Sequence, residues 1–243
     1  MLLRGNHETR IVNGDQKHYG EDSFKTQCQN VFGEIDGNKF WESANDVFDC
    51  MPVAAVVADR LFCCHGGVPE LPHQFRVDNL LNEHLPNPWD GNASDSSIQD
   101  TELAFAAIAA AEDLLWGDPF PDVNPLDAVE PWFSRTDVEQ YWTDGFIHPG
   151  RDEIHVKWEP RFKYFTHVAS LNFLQNHGFS KILRGHQAQR GGLKIMHDTR
   201  LLTVFSDSRD HFDTDTISGC VLFDDNTIRC ILCRPPRSAS AHP

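Results

Sequence analysis

The apolar positions divide the 243-residue chain into alternating helical and extended segments. Leu2-Leu3 reads as the end of a buried strand, and Gly5 opens the loop after it. Phe24, Cys28, Val31 and Phe32 recur at helical spacing over residues 22–33. Phe40, Trp41, Ala44, Val47 and Phe48 do so over 39–50, and Pro52 stops that helix. A continuous apolar run over 52–57, a turn at Ala58-Asp59-Arg60 and a second run, Leu61-Phe62-Cys63-Cys64, predict a hairpin of two buried strands that delivers His65 in front of two glycines. Residues 85–99 carry Pro, Asn, Gly, Ser and Asp and read as a loop. The Ala-rich stretch 100–115 predicts a helix with Phe105, Ile108, Ala109 and Leu115 inward, and 164–177 predicts another with Phe165, Val168, Leu171 and Leu174 on one face. Lys181–Arg184 is a short strand ending at Gly185-His186. Strands over 201–205 and 220–223 follow, and Asp224-Asp225-Asn226 turns the chain into a closing hairpin over 227–232.

This pattern predicts an α/β domain over 1–234 with a flexible tail over 235–243, where Pro and alternating Ser and Ala carry no period. Residues 120–160 are rich in Pro, Asp and Trp without a clear period. They read either as an insertion that borders a cleft or as a solvated irregular loop, because long loops are uncommon unless functional. The chain is long enough to bury a core, and 40% hydrophobic with 11% aromatic residues is globular composition. A formal charge of −15 argues against nucleic-acid binding, which needs a basic face, and permits partners with basic patches. No apolar run approaches membrane-spanning length and no signal peptide is apparent, so a soluble protein of the cytoplasm or nucleus, without a membrane partner, is expected. Seven Cys at scattered spacing suit a reducing compartment. Cys230-Ile-Leu-Cys233 has the spacing of a zinc or redox half-site, but without a second Cys pair it reads as part of the closing strand. Of the 13 His, those without a motif around them, including His18, His84 and His197, are expected on the surface.

Three runs carry chemistry. Leu2-Leu3-Arg4-Gly5-Asn6-His7-Glu8 sets an amide oxygen beside an imidazole after an apolar segment. Asn can give oxygen to a hard cation, and an adjacent His can donate a proton. Cys63-Cys64-His65-Gly66-Gly67 and Arg184-Gly185-His186-Gln187 each set a His at a strand end. From average residue usage, Gly-Asn-His-Glu arises by chance in roughly one chain of this length in a thousand. In order and flanks the three runs resemble the phosphoprotein phosphatases, metal-dependent Ser/Thr phosphatases that include the calcineurin-like enzymes. Asp113-Leu114-Leu115-Trp116-Gly117-Asp118-Pro119 is similar to a further segment of that family, with Gly in place of Ser. The resemblance covers residues 1 to about 119 and about 160 to 234.

The resemblance implies a layered calcineurin-like β-sandwich flanked by helices, and hydrolysis of phosphoserine and phosphothreonine in proteins. Two divalent ions, Mn, Fe or Zn, would lie side by side in such a site, activate water and neutralise charge on the phosphoryl oxygens. Asn6, His65 and His186 would bind one of them, and His7 would protonate the leaving oxygen. Arg161 would hold the phosphate through its planar fork, with Arg151 and Arg135 as alternatives, because Phe162 stands where the family has Gly. Arg4 and Arg184 read as structural ion-pair partners. Phosphoproteins and a regulatory subunit are the implied partners.

Two departures from the family pattern matter. Ser206-Asp207-Ser208-Arg209-Asp210-His211 replaces a loop that brings a Tyr to the family's cleft. The family's Asp-x-His and Gly-Asp-x-x-Asp-Arg elements precede the Asn-His motif, so the resemblance implies a domain missing its first strands, at most one partial metal site, and impaired catalysis. A bis-nucleoside polyphosphate hydrolase of the same superfamily and a non-catalytic pseudophosphatase or binding module are the alternatives.

Overall fold

The computed structural model describes residues 1–71, 75–85, 101–121, 145–147, 163–207, 216–224 and 227–234. Two short helices, α1 (Arg10–Asn13) and α2 (Gln16–Tyr19), follow the first motif, then a 3-10 turn over Gly20–Asp22. Asp15 caps α2 by accepting from the Lys17 and His18 amides at 3.0 Å each. Ser23 caps α3 (Phe24–Phe32) through the Thr26 amide at 3.2 Å. The partner helix α4 (Glu34–Asp49) crosses α3 at Gly37, where a Cβ would lie 2.5 Å from the Gln29 Cα, so only glycine permits that approach.

Both helices form where the apolar spacing predicts them, but the apolar positions are not all buried. Cys28 alone is buried on α3, while Val31 is 72% and Phe32 50% exposed. On α4 the buried stripe is Gly37, Trp41 and Asn45, and Phe40 and Val47 face outward. The reason is a polar core contact that apolar counting does not see. Asn13 Nδ2 donates to Asn45 Oδ1 at 2.9 Å, Trp41 Nε1 donates to Asn13 Oδ1 at 2.7 Å, and Asn45 Nδ2 donates to the Trp41 carbonyl at 2.9 Å. With its amide groups bonded, Asn45 sits fully inside and sets the helix rotation.

Strands β1 (Ala54–Val57) and β2 (Leu61–Cys64) form the expected antiparallel hairpin. Only β2 is mostly buried, because β1 lies at a sheet edge with Val56 and Val57 exposed. Ala58 and Asp59 both have positive φ, 51° and 54°, and Arg60 N–H donates to Val57 O at 3.1 Å, which makes a turn of the primed hairpin type. Alanine is strained there, whereas asparagine tolerates the left-handed region. Ala58→Asn is expected to stabilise the chain by about 0.5–1 kcal/mol, read as a higher urea midpoint at unchanged slope.

The next elements are α5 (Val77–His84), α6 (Thr101–Trp116) and the two-residue strands β3 (Asp118–Pro119), β4 (Phe146–Ile147) and β5 (Tyr164–Phe165). Then come α7 (His167–His177), β6 (Lys181–Arg184), β7 (Leu193–Met196), β8 (Leu201–Val204), β9 (Ser218–Asp224) and β10 (Thr227–Cys233). Helix α7 starts later than the sequence predicts, because Phe165 is a strand residue, and its buried side is Ala169, Ser170, Phe173, Leu174 and His177. The main sheet runs β1-β2-β6-β8-β7. Pairs β2/β6 and β6/β8 are parallel, and the flanking pairs are antiparallel. Phe62, Ile182 and Leu201 form one register row across the three central strands. That row packs with Ile108, Ala111, Leu114 and Leu115 of α6 and with Phe173 and Leu174 of α7. Helices on a mixed sheet make the α/β layered fold that the sequence predicts, and β9 and β10 close as the expected hairpin. Leu2 and Leu3 are not in a strand, and Leu2 is exposed. Among the described residues no helix is long and apolar enough to cross a membrane.

His197 corrects the surface expectation. It is fully buried, with φ 53°, its Nδ1 2.7 Å from Ser170 Oγ and its Nε2 3.0 Å from the Phe120 carbonyl. His177 is buried as well. Its Nε2 accepts the Val77 amide at 2.9 Å, its Nδ1 donates to the Phe173 carbonyl at 2.9 Å, and its ring stacks on Phe173. Burial pushes its pKa below the ordinary value. A proton on Nε2 would delete the acceptor for Val77. Because the folded pKa lies below the unfolded value of about 6.5, the unfolded chain takes up that proton first, so His177's contribution is full above about pH 6.5 and is lost as pH falls through its folded pKa. His177→Gln should flatten the acid side of the stability–pH curve measured by urea unfolding, and an unchanged slope would contradict this assignment.

Candidate metal centre and active site

Three loops meet at one end of the main sheet. Strands β2 and β6 are parallel neighbours, so His65, which follows β2, and His186, which follows β6 after Gly185, emerge at the same end. The Gly185 amide donates to the His65 carbonyl at 3.0 Å and joins the two loops directly. The first motif reaches the same end because Arg4 N–H donates to Pro52 O at 2.9 Å, just before β1.

Within that first loop the chain is held from several sides. Arg4 Nε donates to the Glu8 carbonyl at 2.8 Å, and the Gly5 amide donates to Glu8 Oε2 at 2.9 Å. Thr9 Oγ1 donates to the Asn6 carbonyl at 2.8 Å. Arg4 is buried and pairs with Asp49, 2.7 Å from Nη2, and Asp49 also pairs with Arg10. Arg4 is therefore the structural ion-pair partner that the sequence suggests.

The outcome is a convergence. Asn6 is buried, and its Oδ1 lies 2.9 Å from His65 Nε2. The His65 and His186 rings are 5.1 Å apart, centroid to centroid. Trp116 stands 5.9 Å from the His186 ring and forms one wall. His186 has φ 63°, a left-handed backbone that costs a non-glycine residue about 1–2 kcal/mol. His7 does not join the cluster. It is exposed, lies 5.6 Å from the Tyr19 ring, and faces a cavity of about 360 Å³ that Glu8, Asn13, Asp22 and Phe24 also line.

The electrostatics favour neutral imidazoles. Burial, then Arg184 and His7, push His65 down to about 4. Burial, then Arg184, His65 and His7, push His186 down to about 3. At neutral pH both rings therefore keep a lone pair for a cation.

Residues 1–190 match the family described as calcineurin-like phosphoesterase. The chain belongs to that family. Among solved structures, a protein serine/threonine phosphatase from Saccharomyces cerevisiae with similarity to human phosphatase PP5 matches with a TM-score of 0.64 at 19% sequence identity. The match covers 100% of this chain and 61% of the yeast chain, so the phosphoesterase spans less than two thirds of that protein. The fold is that of a calcineurin-like metallophosphatase, and the family's chemistry is metal-assisted phosphoester hydrolysis.

The donor set of this phosphoesterase fits a divalent ion. Asn6 Oδ1 and His65 Nε2 lie 2.9 Å apart, close enough that both would reach one cation with bonds of about 2.0–2.2 Å. One oxygen and two imidazoles suit Mn, Fe or Zn better than Ca or Mg. The set is neutral, however, and among the described residues no group of three His, Cys, Asp or Glu side chains could hold a metal ion. An Asp118 carboxylate oxygen lies 3.9 Å from His186 Nε2 and accepts from Arg184 at 2.8 Å. Asp118 is the site residue to which the sequence assigns no part, although it lies within a matching segment, and Arg184, read as an ion-pair partner, pairs with it. Arg161, the alternatives Arg151 and Arg135, and Asp210 lie outside the described residues, as does most of 120–160.

Proposed function

We propose that this calcineurin-like phosphoesterase is a protein serine/threonine phosphatase. Asn6, His65 and His186 bind a divalent ion, His7 protonates the leaving Ser or Thr oxygen, and Arg161 holds the phosphate. The observation that carries the reading is the convergence of Asn6 Oδ1 on His65 Nε2 at 2.9 Å, with the His186 ring 5.1 Å from that of His65. The similarity to a yeast serine/threonine phosphatase supports the substrate class. A bound ion would polarise the phosphoryl oxygens and lower the pKa of water at the site. The chain's own residues supply the rest. The two neutral imidazoles and the amide hold that ion without taking up its charge. His7, exposed and next to Asn6 in the chain, would protonate the leaving oxygen, which is a poor leaving group unless protonated.

Phosphoproteins are then the substrates, and a regulatory subunit with a basic contact patch would suit the charge of −15. Cytoplasm or nucleus is the matching location. The test assays the chain with Mn²⁺ on a phosphoserine peptide and on a dinucleoside tetraphosphate. Turnover of the peptide alone supports the proposal, and turnover of the dinucleotide alone makes the chain a bis-nucleoside polyphosphate hydrolase. Retained Mn²⁺ without turnover of either would make it a binding module. Because the donor set holds no carboxylate, turnover is expected to be weak.

A further inference from the structure

Arg184 is buried, and its guanidinium meets four acceptors on three segments of chain. Nε donates to the Gly66 carbonyl at 2.6 Å, one residue after His65. Nη1 donates to Gln187 Oε1 at 2.9 Å, one residue after His186. Nη2 donates to the Gly117 carbonyl at 3.1 Å and to Asp118 Oδ1 at 2.8 Å, the two residues after Trp116. Each segment tied to this one group carries a wall of the site. The strained backbone of His186 lies between the arginine and its Gln187 contact, and the Gln187 amide also donates to the Gly185 carbonyl at 2.7 Å.

We infer that Arg184 is the positioning residue of the metal centre, its four-way fork fixing the His65 and His186 loops at the separation that one ion needs. The inference rests on the reading of Asn6, His65 and His186 as ligands. A lysine keeps the charge beside Asp118, but its three donors diverge from a single nitrogen. It cannot lie in one plane with acceptors from three segments, so charge alone does not restore the site. Without the Nη1 contact to Gln187, His186 is free to leave the left-handed region, and its ring moves away from that of His65.

The experiment is a Co²⁺ titration of the full chain, followed by visible d–d absorption, with far-UV circular dichroism and melting temperature recorded alongside. For Arg184→Lys the expected result is at least a tenfold weaker Co²⁺ affinity and an altered visible band at native secondary structure. Wild-type affinity and an unchanged band in a folded Arg184→Lys chain would overturn the inference while leaving the ligand assignment intact. A wild-type chain that takes up no Co²⁺ would overturn the ligand assignment, and this inference with it. If Arg184→Lys does not fold, Gln187→Ala decides, because that side chain is only half-buried. Several-fold weaker Co²⁺ binding at an unchanged melting temperature supports the inference, and undiminished binding overturns it.

Discussion

Gly66→Ala is expected to destabilise the chain by about 2–4 kcal/mol and to abolish metal uptake at the site. A Cβ at this position would lie 2.5 Å from the Leu115 carbonyl carbon, 2.6 Å from the Trp116 nitrogen and 2.8 Å from the Leu115 oxygen. All three are backbone atoms at the C-terminal end of α6, so no side-chain rotation can relieve the clash. The Gly66 amide also donates to the Leu114 carbonyl at 2.6 Å, and its own carbonyl accepts from Arg184. Moving the residue outward therefore breaks bonds on both sides and carries His65, its neighbour, away from Asn6. Gly191→Ala is the control. Its added Cβ would meet only the Leu193 oxygen at 3.8 Å, and an effect within about 0.5 kcal/mol is expected. Urea unfolding and Co²⁺ titration of both variants check the prediction, and equal stability of the two would contradict it.

The same packing explains which parts of the molecule can be read from the sequence. Strands β2 and β6 announce themselves as apolar runs that end in Gly and His, and their parallel pairing brings His65 and His186 together. The Asn6 loop is legible from its Gly-Asn-His-Glu run, although the apolar pair before it is not a strand and Leu2 is exposed. Helix rotation is less legible. On α4, Trp41 and Asn45 turn inward because Asn13, 32 residues before Asn45, supplies the matching amide. A polar contact across that separation leaves no periodic trace in either segment. Strands β3, β4 and β5 have two residues each, too few to show a period of two, yet β3 carries Asp118 into the site. β7 escapes notice because Lys194 and Ile195 both lie exposed. His197 looks like a surface histidine until Ser170 and the Phe120 carbonyl close on its two ring nitrogens.

Arg184 shows the limit from the other direction. Its place in an Arg-Gly-His run suggests an ion-pair partner, and Asp118 is that partner at 2.8 Å. The ion pair is one contact of four, and the other three go to Gly66, Gly117 and Gln187. Two of these acceptors are main-chain carbonyls, which residue identity does not reveal. Tolerance within the site is thereby divided. Positions that support it through the main chain, such as Gly66, fail by sterics, whereas positions that act on substrate fail by chemistry with the fold intact.

His7→Asn is expected to be of the second kind. It should lower phosphopeptide turnover by about a hundredfold or more while Co²⁺ affinity and melting temperature stay near wild type. Asn6 and His7 are adjacent but diverge. The buried Asn6 amide points at His65 Nε2, whereas the exposed His7 ring lies beside Tyr19 at the rim of a cavity of about 360 Å³. Asparagine keeps a polar side chain there but has no proton to give at neutral pH, so the leaving alkoxide must depart unprotonated. The loss should shrink for a substrate whose leaving group needs no proton, such as an aryl phosphate with a low leaving-group pKa. Comparing wild type and His7→Asn on a phosphoserine peptide and on that aryl phosphate gives the decisive ratio. Equal losses on both substrates would mean that His7 binds phosphate and is not the acid, and a parallel loss of Co²⁺ affinity would make it a ligand.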